Sequence, residues 1–246
     1  MPPIPTTGRI DIHSHMLPDI DDGCETIEES IASISLLKQA GYVGTICTPH
    51  LWPDMFPDNT PANIQRWTDS LTNELANRNI EYALWPGGEL RLFPGVIEWI
   101  QTHGVPTLAN SRYVLTDFWE NTWPDYVDQA LDWFLAEGYQ PILAHPERIG
   151  IESITTLVEH LDAITARGVL LQGNFRCMTG EDGYFQDQRV RQFLTEKRYW
   201  LMAMDMHRPD ALPSRIDGMQ MVVDEFGQDL VDQMTIDRPR QILTSP

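Results

Sequence analysis

Cysteine, lysine and positive charge are scarce in this chain of 246 residues. The cysteines are Cys24, Cys47 and Cys177, an odd number without C-x-x-C spacing, which points to reduced thiols in a cytoplasmic setting. None has arginine six positions on, so the Cys-x5-Arg loop of thiolate phosphatases is excluded. Lysine occurs only as Lys38 and Lys197, both in segments that read as helix. Lysine and arginine total 17 against 36 aspartates and glutamates, a formal net charge of −19. Such a surface repels a nucleic-acid backbone or an anionic membrane. No apolar run approaches the roughly 18 residues that suggest a membrane span. The opening MPPIPTTGR has neither the basic start nor the apolar core of a signal peptide. The expectation is a cytoplasmic protein with no nucleic-acid partner and no membrane insertion.

What is present is ordinary globular material, 42% hydrophobic and 22% charged. At this length a single domain over 1–246 is expected, with 1–8 as an N-terminal tail. Short apolar segments at Arg9–Ile12, Val43–Thr48, Tyr82–Trp85, Tyr113–Thr116, Pro141–Ala144, Val169–Gln172 and Trp200–Met204 read as strands. Amphipathic segments fall between them. Glu28–Ala40 carries Ile31, Ile34 and Leu37 on one stripe and stops at Gly41. Thr60 and Pro61 are a cap and a first-turn proline for a helix to about Arg78. Further helices are expected over Pro124–Glu137, Ser153–Arg167 and Asp187–Lys197. Strands alternating with helices imply parallel pairing through right-handed crossovers, and a barrel or near-barrel fits the count best.

The polar chemistry follows the strands. IDIHSHMLPDID ends the first strand in His13 and His15, with Asp21 and Asp22 just beyond. The following strands lead into His50, Glu89, Asp117, and His145 with Glu147 and Arg148; the last leads into Asp205 and His207. In parallel barrels these C-terminal ends converge on one mouth, where active sites are built. Of 7 histidines only His103 and His160 lie elsewhere. Nitrogen and carboxylate ligands without cysteine suit Mn²⁺, Zn²⁺ or Fe²⁺ in a hydrolytic site. The candidate ligands are too many for one ion and fit two or three. Three divalent ions outweigh the charge of Asp22, Glu89, Asp117 and Asp205, so an acidic protein still offers a locally positive pocket.

In order along the chain, IDIHSH…DIDDG, TPH, GGEL, HPER and MDMH resemble the polymerase and histidinol phosphatase (PHP) superfamily of metallophosphoesterases. DIDDGCETIEESI, PTLANSRYVLTDF and IDRPRQIL are most similar to its bacterial capsule-biosynthesis protein-tyrosine phosphatases, and the resemblance runs from Arg9 to Leu243. It implies a distorted (β/α)7 barrel with three divalent ions, usually Mn²⁺. It implies one ion on His13, His15, Glu89 and Asp205, a second on Glu89, Asp117 and His145, and a third on Asp22, His50 and His207. It further implies a phosphotyrosine-bearing protein or peptide as substrate, such as a polysaccharide-assembly tyrosine kinase, and an oligomer is compatible with it. Two positions depart from the family pattern. Asp117 stands where glutamate is usual, and Leu212 occupies the place of an arginine, flanked by Arg208 and Arg215.

Metal-assisted phosphomonoester hydrolysis is the chemistry expected of such a site, with Arg148, Asp205 and His207 beside the phosphoryl group. A histidinol-phosphate phosphatase would share every metal ligand. An amidohydrolase also opens with His-x-His; many members need a strand-end lysine, which this chain lacks, although Glu89 could replace that bridge as in some subgroups. A non-catalytic metal-bound scaffold would bind metal without turnover. Trp52, Met55 and Phe56, in the loop after His50, are expected either to form a substrate rim or to cover the mouth. Arg91 and Arg176 are candidates for phosphate contact or surface ion pairs, and Asn174 for orienting a ligand. Glu147 is expected to pair with a cation, and Arg112 to lie at the opposite face.

Overall fold

The computed structural model describes residues 2–245. All its ladders are parallel. One three-stranded sheet contains β1 (Arg9–Asp11), β2 (Tyr42–Cys47) and β4 (Ala83–Pro86). A six-stranded sheet follows in the order β3 (His50–Leu51), β5 (Glu89–Arg91), β6 (Tyr113–Asp117), β7 (Gln140–Ala144), β8 (Leu170–Asn174) and β9 (Leu201–Ala203). An isolated parallel bridge between Ser14 and Met206 joins the chain after β1 to the chain after β9.

Two of the expected strands each appear as two pieces, with physical causes in the sequence. Between β2 and β3 stands Pro49, which has no N–H to continue a ladder. Between β4 and β5 lie Gly87 and Gly88, which weaken pairing. The other strands fall within two residues of expectation.

The helices that follow the strands are α1 (Ile27–Gln39), α2 (Pro61–Asn77), α3 (Val96–His103), α4 (Asp125–Ala136), α5 (Ile154–Ala166), α6 (Tyr184–Thr195) and α7 (Leu212–Phe226). Side chains cap three of them: Thr26, Thr60 and Ser153 accept from the N–H groups of Glu29, Asn63 and Thr156. α6 starts earlier than expected, at the turn made by Gly183. Ile34, Leu37, Leu71, Phe134, Leu161 and Phe193 bury one face of α1, α2, α4, α5 and α6 in the core. Because helices cover the sheets, β6, β7 and β8 are buried nearly throughout rather than on alternate residues. Before β1, Arg240 donates to the carbonyls of Pro5 and Gly8. Among the described residues no helix is long and apolar enough to cross a membrane.

Candidate metal centre

His13 and His15 lie two residues apart just past β1, so both rings reach the same side, and both are fully buried. His145 and Asp205 follow β7 and β9 with φ of 33° and 47°. A left-handed conformation costs a non-glycine residue about 1–3 kcal/mol and persists where neighbours impose it. Here they do: the N–H of His145 donates to Gln172 O at 2.7 Å, and Arg215 Nε holds Asp205 O at 3.0 Å. Gly23 turns the acidic loop back against His15, and a β-carbon there would meet His15 O at 1.9 Å.

Glu89 is the hub. Its Oε1 accepts from His145 Nε2 at 2.7 Å. Its Oε2 lies 3.4 Å from His13 Nε2, 3.5 Å from His15 Nε2 and 2.8 Å from His50 Nδ1, and it accepts no well-formed hydrogen bond among the described residues. Asp205 Oδ1 is 3.4 Å from His13 Nε2 and 3.3 Å from His15 Nε2. Asp22 Oδ1 faces His50 Nε2 at 3.4 Å and His207 Nε2 at 3.5 Å. The ligand atoms form three groups: His15, Asp22, His50 and His207; His13, Glu89 and His145; and His13, His15 and Asp205. Asp117 is buried beside these groups but is not a member of any. Its Oδ2 takes the indole N–H of Trp119, and its Oδ1 has no hydrogen-bond partner among the described residues.

The donor set fits divalent cations. His13 Nδ1 lies 2.8 Å from Gln172 Oε1, and His15 Nδ1 lies 2.8 Å from Asp21 Oδ2. Both acceptors assign the ring proton to Nδ1. The two Nε2 lone pairs then face each other across 3.3 Å, an arrangement that repels unless a cation or proton lies between. The orphaned Glu89 oxygen points to the same conclusion.

A second layer of contacts fixes these ligands. Asp21 also accepts from the N–H groups of His50 and Gly23, so it orients ligands while Asp22 stays partly exposed. Gln172 donates to Asn174 Oδ1 at 2.8 Å, and Asn174 donates to Asp205 Oδ2 at 2.7 Å. Among the described residues Glu147 makes no ion pair, and both its oxygens are engaged: it accepts from Asn174 N–H and from the Tyr199 hydroxyl, both at 2.7 Å. Buried Arg189 donates to the carbonyls of Ile149 and Ile151, which pins the loop carrying Arg148. Polar residues inside apolar strands, such as Gln172, are the one signal by which this layer is readable in sequence.

Carboxylates dominate the electrostatics. Burial opposes charge on His15 and His50, but Asp21 beside the first and Glu89 beside the second raise them to about 10 and about 12. Glu89 and Asp205 stay well below the ordinary carboxylate range despite burial, held there chiefly by the neighbouring His13. Burial and then repulsion from Glu89 push Asp117 up to about 6. Burial and then the His15 charge bring His207 down to about 4. All three cysteines are buried, and burial raises each thiol, Cys24 to about 11. None is a usable nucleophile.

The ligands open into a cavity of about 320 Å³, walled by Phe118, Trp119 and Ile149 and reached by Arg148. Arg148 Nη1 donates to Asp205 Oδ2 at 2.8 Å. An adjoining space of about 370 Å³ is bordered by Arg148, Arg176, Arg208 and Arg215. Arg215 is spent on the carbonyls of Met204, Asp205 and Ala211, and exposed Arg208 pairs with Glu25. Leu212 is fully buried. Arg176 sits near Glu181 and Asp182, at 3.4 and 3.3 Å. Arg91 lies over Trp52, and Phe56 stacks on His50, so the loop after His50 packs against one of the candidate ligands. Met55 is exposed, and exposed Arg112 lies at the start of β6. Lys38 bonds Glu81 O from α1, and Lys197 follows α6, so neither stands at a strand end.

The chain is 30% identical over 243 residues to tyrosine-protein phosphatase CpsB of Streptococcus agalactiae serotype III (strain NEM316), covering 95% of this chain and 98% of that protein. It is 30% identical over 173 residues to tyrosine-protein phosphatase YwqE of Bacillus subtilis (strain 168), covering 70% and 68%. The fold matches a solved structure from work on YwqE of Bacillus subtilis and CpsB of Streptococcus pneumoniae, described as unique metal-dependent tyrosine phosphatases. That match has a TM-score of 0.84 at 25% identity and covers 95% of this chain and 94% of that one. A probable 2-pyrone-4,6-dicarboxylic acid hydrolase of Acinetobacter baumannii shares the fold alone, with a TM-score of 0.57 at 13% identity over 96% of this chain and 99% of that one. The family model for capsular polysaccharide synthesis, CpsB/CapC, matches residues 9–244, and the chain belongs to that family.

Proposed function

We propose that this chain is a metal-dependent protein-tyrosine phosphatase acting in capsule or exopolysaccharide synthesis. The observation that carries the reading is the convergence of three metal-ligand groups and Arg148 on one cavity, in a chain whose family includes named tyrosine phosphatases. On this reading the strands form a distorted (β/α)7 barrel whose seam is the Ser14–Met206 bridge, in a single domain over 1–246.

His13, His15, Glu89 and Asp205 would hold one divalent ion, Glu89, Asp117 and His145 a second, and Asp22, His50 and His207 a third. Mn²⁺ is the first choice, with Fe²⁺ and Zn²⁺ compatible with the same donors. When bound, the ions supply positive charge to the phosphoryl oxygens and acidify the attacking water. Arg148, held by Asp205, presents its remaining N–H groups to the same oxygens. Asp205 thereby aligns the arginine as well as serving the metal, and His207 lines the same cavity. The aromatic wall excludes water around the substrate. A tyrosine phenol, with pKa about 10, needs less protonation on leaving than an aliphatic alcohol does. The physiological target would be a phosphotyrosine-bearing segment of a polysaccharide-assembly kinase, encountered in the cytoplasm.

The test is phosphate release by Mn²⁺-loaded protein from a phosphotyrosine peptide and from histidinol phosphate at equal concentration. Strong preference for the peptide is expected. Preference for histidinol phosphate would keep the metal centre and replace the substrate.

A further inference from the structure

Trp119 is half exposed at the cavity wall, among a handful of large apolar side chains left open to solvent. Its position is fixed on several sides. The ring meets Trp52 edge-on with centroids 5.1 Å apart, and His50 edge-on at 5.8 Å. The Arg91 guanidinium lies 4.1 Å from the Trp52 centroid and 5.0 Å from that of Trp119. Arg91 is in turn near Glu120, at 3.5 Å. An exposed tryptophan held this way loses little freedom when another ring lies against it.

The same side chain reaches the ligand cluster. Its indole N–H donates to Asp117 Oδ2, leaving Asp117 Oδ1 buried and unpartnered. Aspartate has a short arm, and this carboxylate lies close to Glu89, which repels it. A neutral donor on one oxygen fixes the carboxylate without neutralising it, and directs the other oxygen inward.

We propose that Trp119 has two roles: its ring is the platform for the substrate's aryl group, and its N–H positions Asp117 for metal. The platform role rests on the phosphotyrosine reading, whereas the positioning role does not. Trp119 thus sets preference for aryl over alkyl phosphomonoesters through its ring and holds a ligand of the metal centre through its N–H.

Two variants separate the roles. Trp119→Phe keeps a ring and removes the N–H; Trp119→Ala removes both. Each is titrated with Mn²⁺ by calorimetry after chelation. Each is also assayed on a phosphotyrosine peptide and on its phosphoserine counterpart, as a ratio of kcat/KM values. Because the side chain is half exposed, circular dichroism should show both variants folded. Both are expected to weaken one class of Mn²⁺ site by about 10- to 100-fold. Trp119→Phe should leave the aryl-to-alkyl ratio within about twofold of wild type, and Trp119→Ala should lower it about three- to tenfold. An unchanged Mn²⁺ isotherm in Trp119→Phe overturns the positioning role. An unchanged ratio in Trp119→Ala overturns the platform. Wild-type protein that hydrolyses neither peptide sinks the phosphatase reading and the platform together, and the isotherms still decide the positioning role.

Discussion

Arg215 Nε donates to the carbonyls of Met204 at 2.7 Å and Asp205 at 3.0 Å, so a buried cation fixes the backbone that presents a metal ligand. Its Nη1 reaches Ala211 O at 2.9 Å. Arg215 therefore does not replace the phosphate-gripping arginine expected where Leu212 stands; it holds the turn between β9 and α7.

Replacing Arg215 by methionine keeps the apolar stem and strands three carbonyls. Burying an unsatisfied polar group costs roughly 1–3 kcal/mol, and partial relaxation should bring the total to about 2–4 kcal/mol. Urea denaturation of chelated protein should show that loss, and Mn²⁺ affinity should fall with it as Asp205 shifts. Unchanged stability would mean that the carbonyls find water.

Arg148 carries the opposite expectation, because it is partly exposed and reaches the cavity. Arg148→Ala should lower kcat/KM on a phosphotyrosine peptide by about 10²- to 10³-fold, the usual loss for a donor to developing negative charge. Lysine at 148 should recover only part of this, since it cannot grip two oxygens in one plane. A loss confined to KM would place Arg148 in binding alone.

Much of the site was legible because its ligands follow apolar runs, and polar side chains at the C-terminal ends of these buried strands converge on one cavity. Eight of the nine expected ligands fall in the three groups, and Asp117 lies beside them. The helix starts at Thr60 and Ser153 were equally plain, since caps act locally. Contacts between distant residues were not legible. Gln172 is 159 positions from His13, and Arg189 is 40 from Ile149. The bond from Trp119 to Asp117 spans only two residues, yet depends on how the chain leaves β6. The breaks after β2 and β4 were foreshadowed by Pro49 and Gly87, but an apolar run reads through such residues. The guanidinium of Arg215 lies in the region expected to hold a phosphate ligand, and only packing reveals that it is spent on carbonyls.

Gln172→Leu tests the layer behind the ligands. It removes the acceptor at His13 Nδ1 and the donor to Asn174, while conserving volume approximately. Freed of that bond, the imidazole loses its fixed tautomer. Mn²⁺ affinity should fall about 10- to 100-fold, read by calorimetry, with far-ultraviolet circular dichroism unchanged. An unaltered isotherm would show that packing alone orients His13.

Protons and metal should compete visibly at this centre. In chelated protein His15 and His50 are raised from 6.5 to about 10 and about 12, with burial opposing and Asp21 and Glu89 prevailing. Raised histidines stabilise the fold fully below the unfolded value near 6.5, and that contribution is lost as pH climbs through about 10 to 12. Metal needs the same nitrogens unprotonated, so its affinity should rise with pH and loading at pH about 7 should release protons. Calorimetry in buffers of different ionisation enthalpy reads that release directly, with a contribution from each of the two histidines. The gain in Tm on adding Mn²⁺ should also grow between pH about 6 and 9. Loading without proton release at neutral pH would mean that neither histidine is a ligand, or that both are already neutral, and the carboxylate-dominated electrostatics would then be wrong.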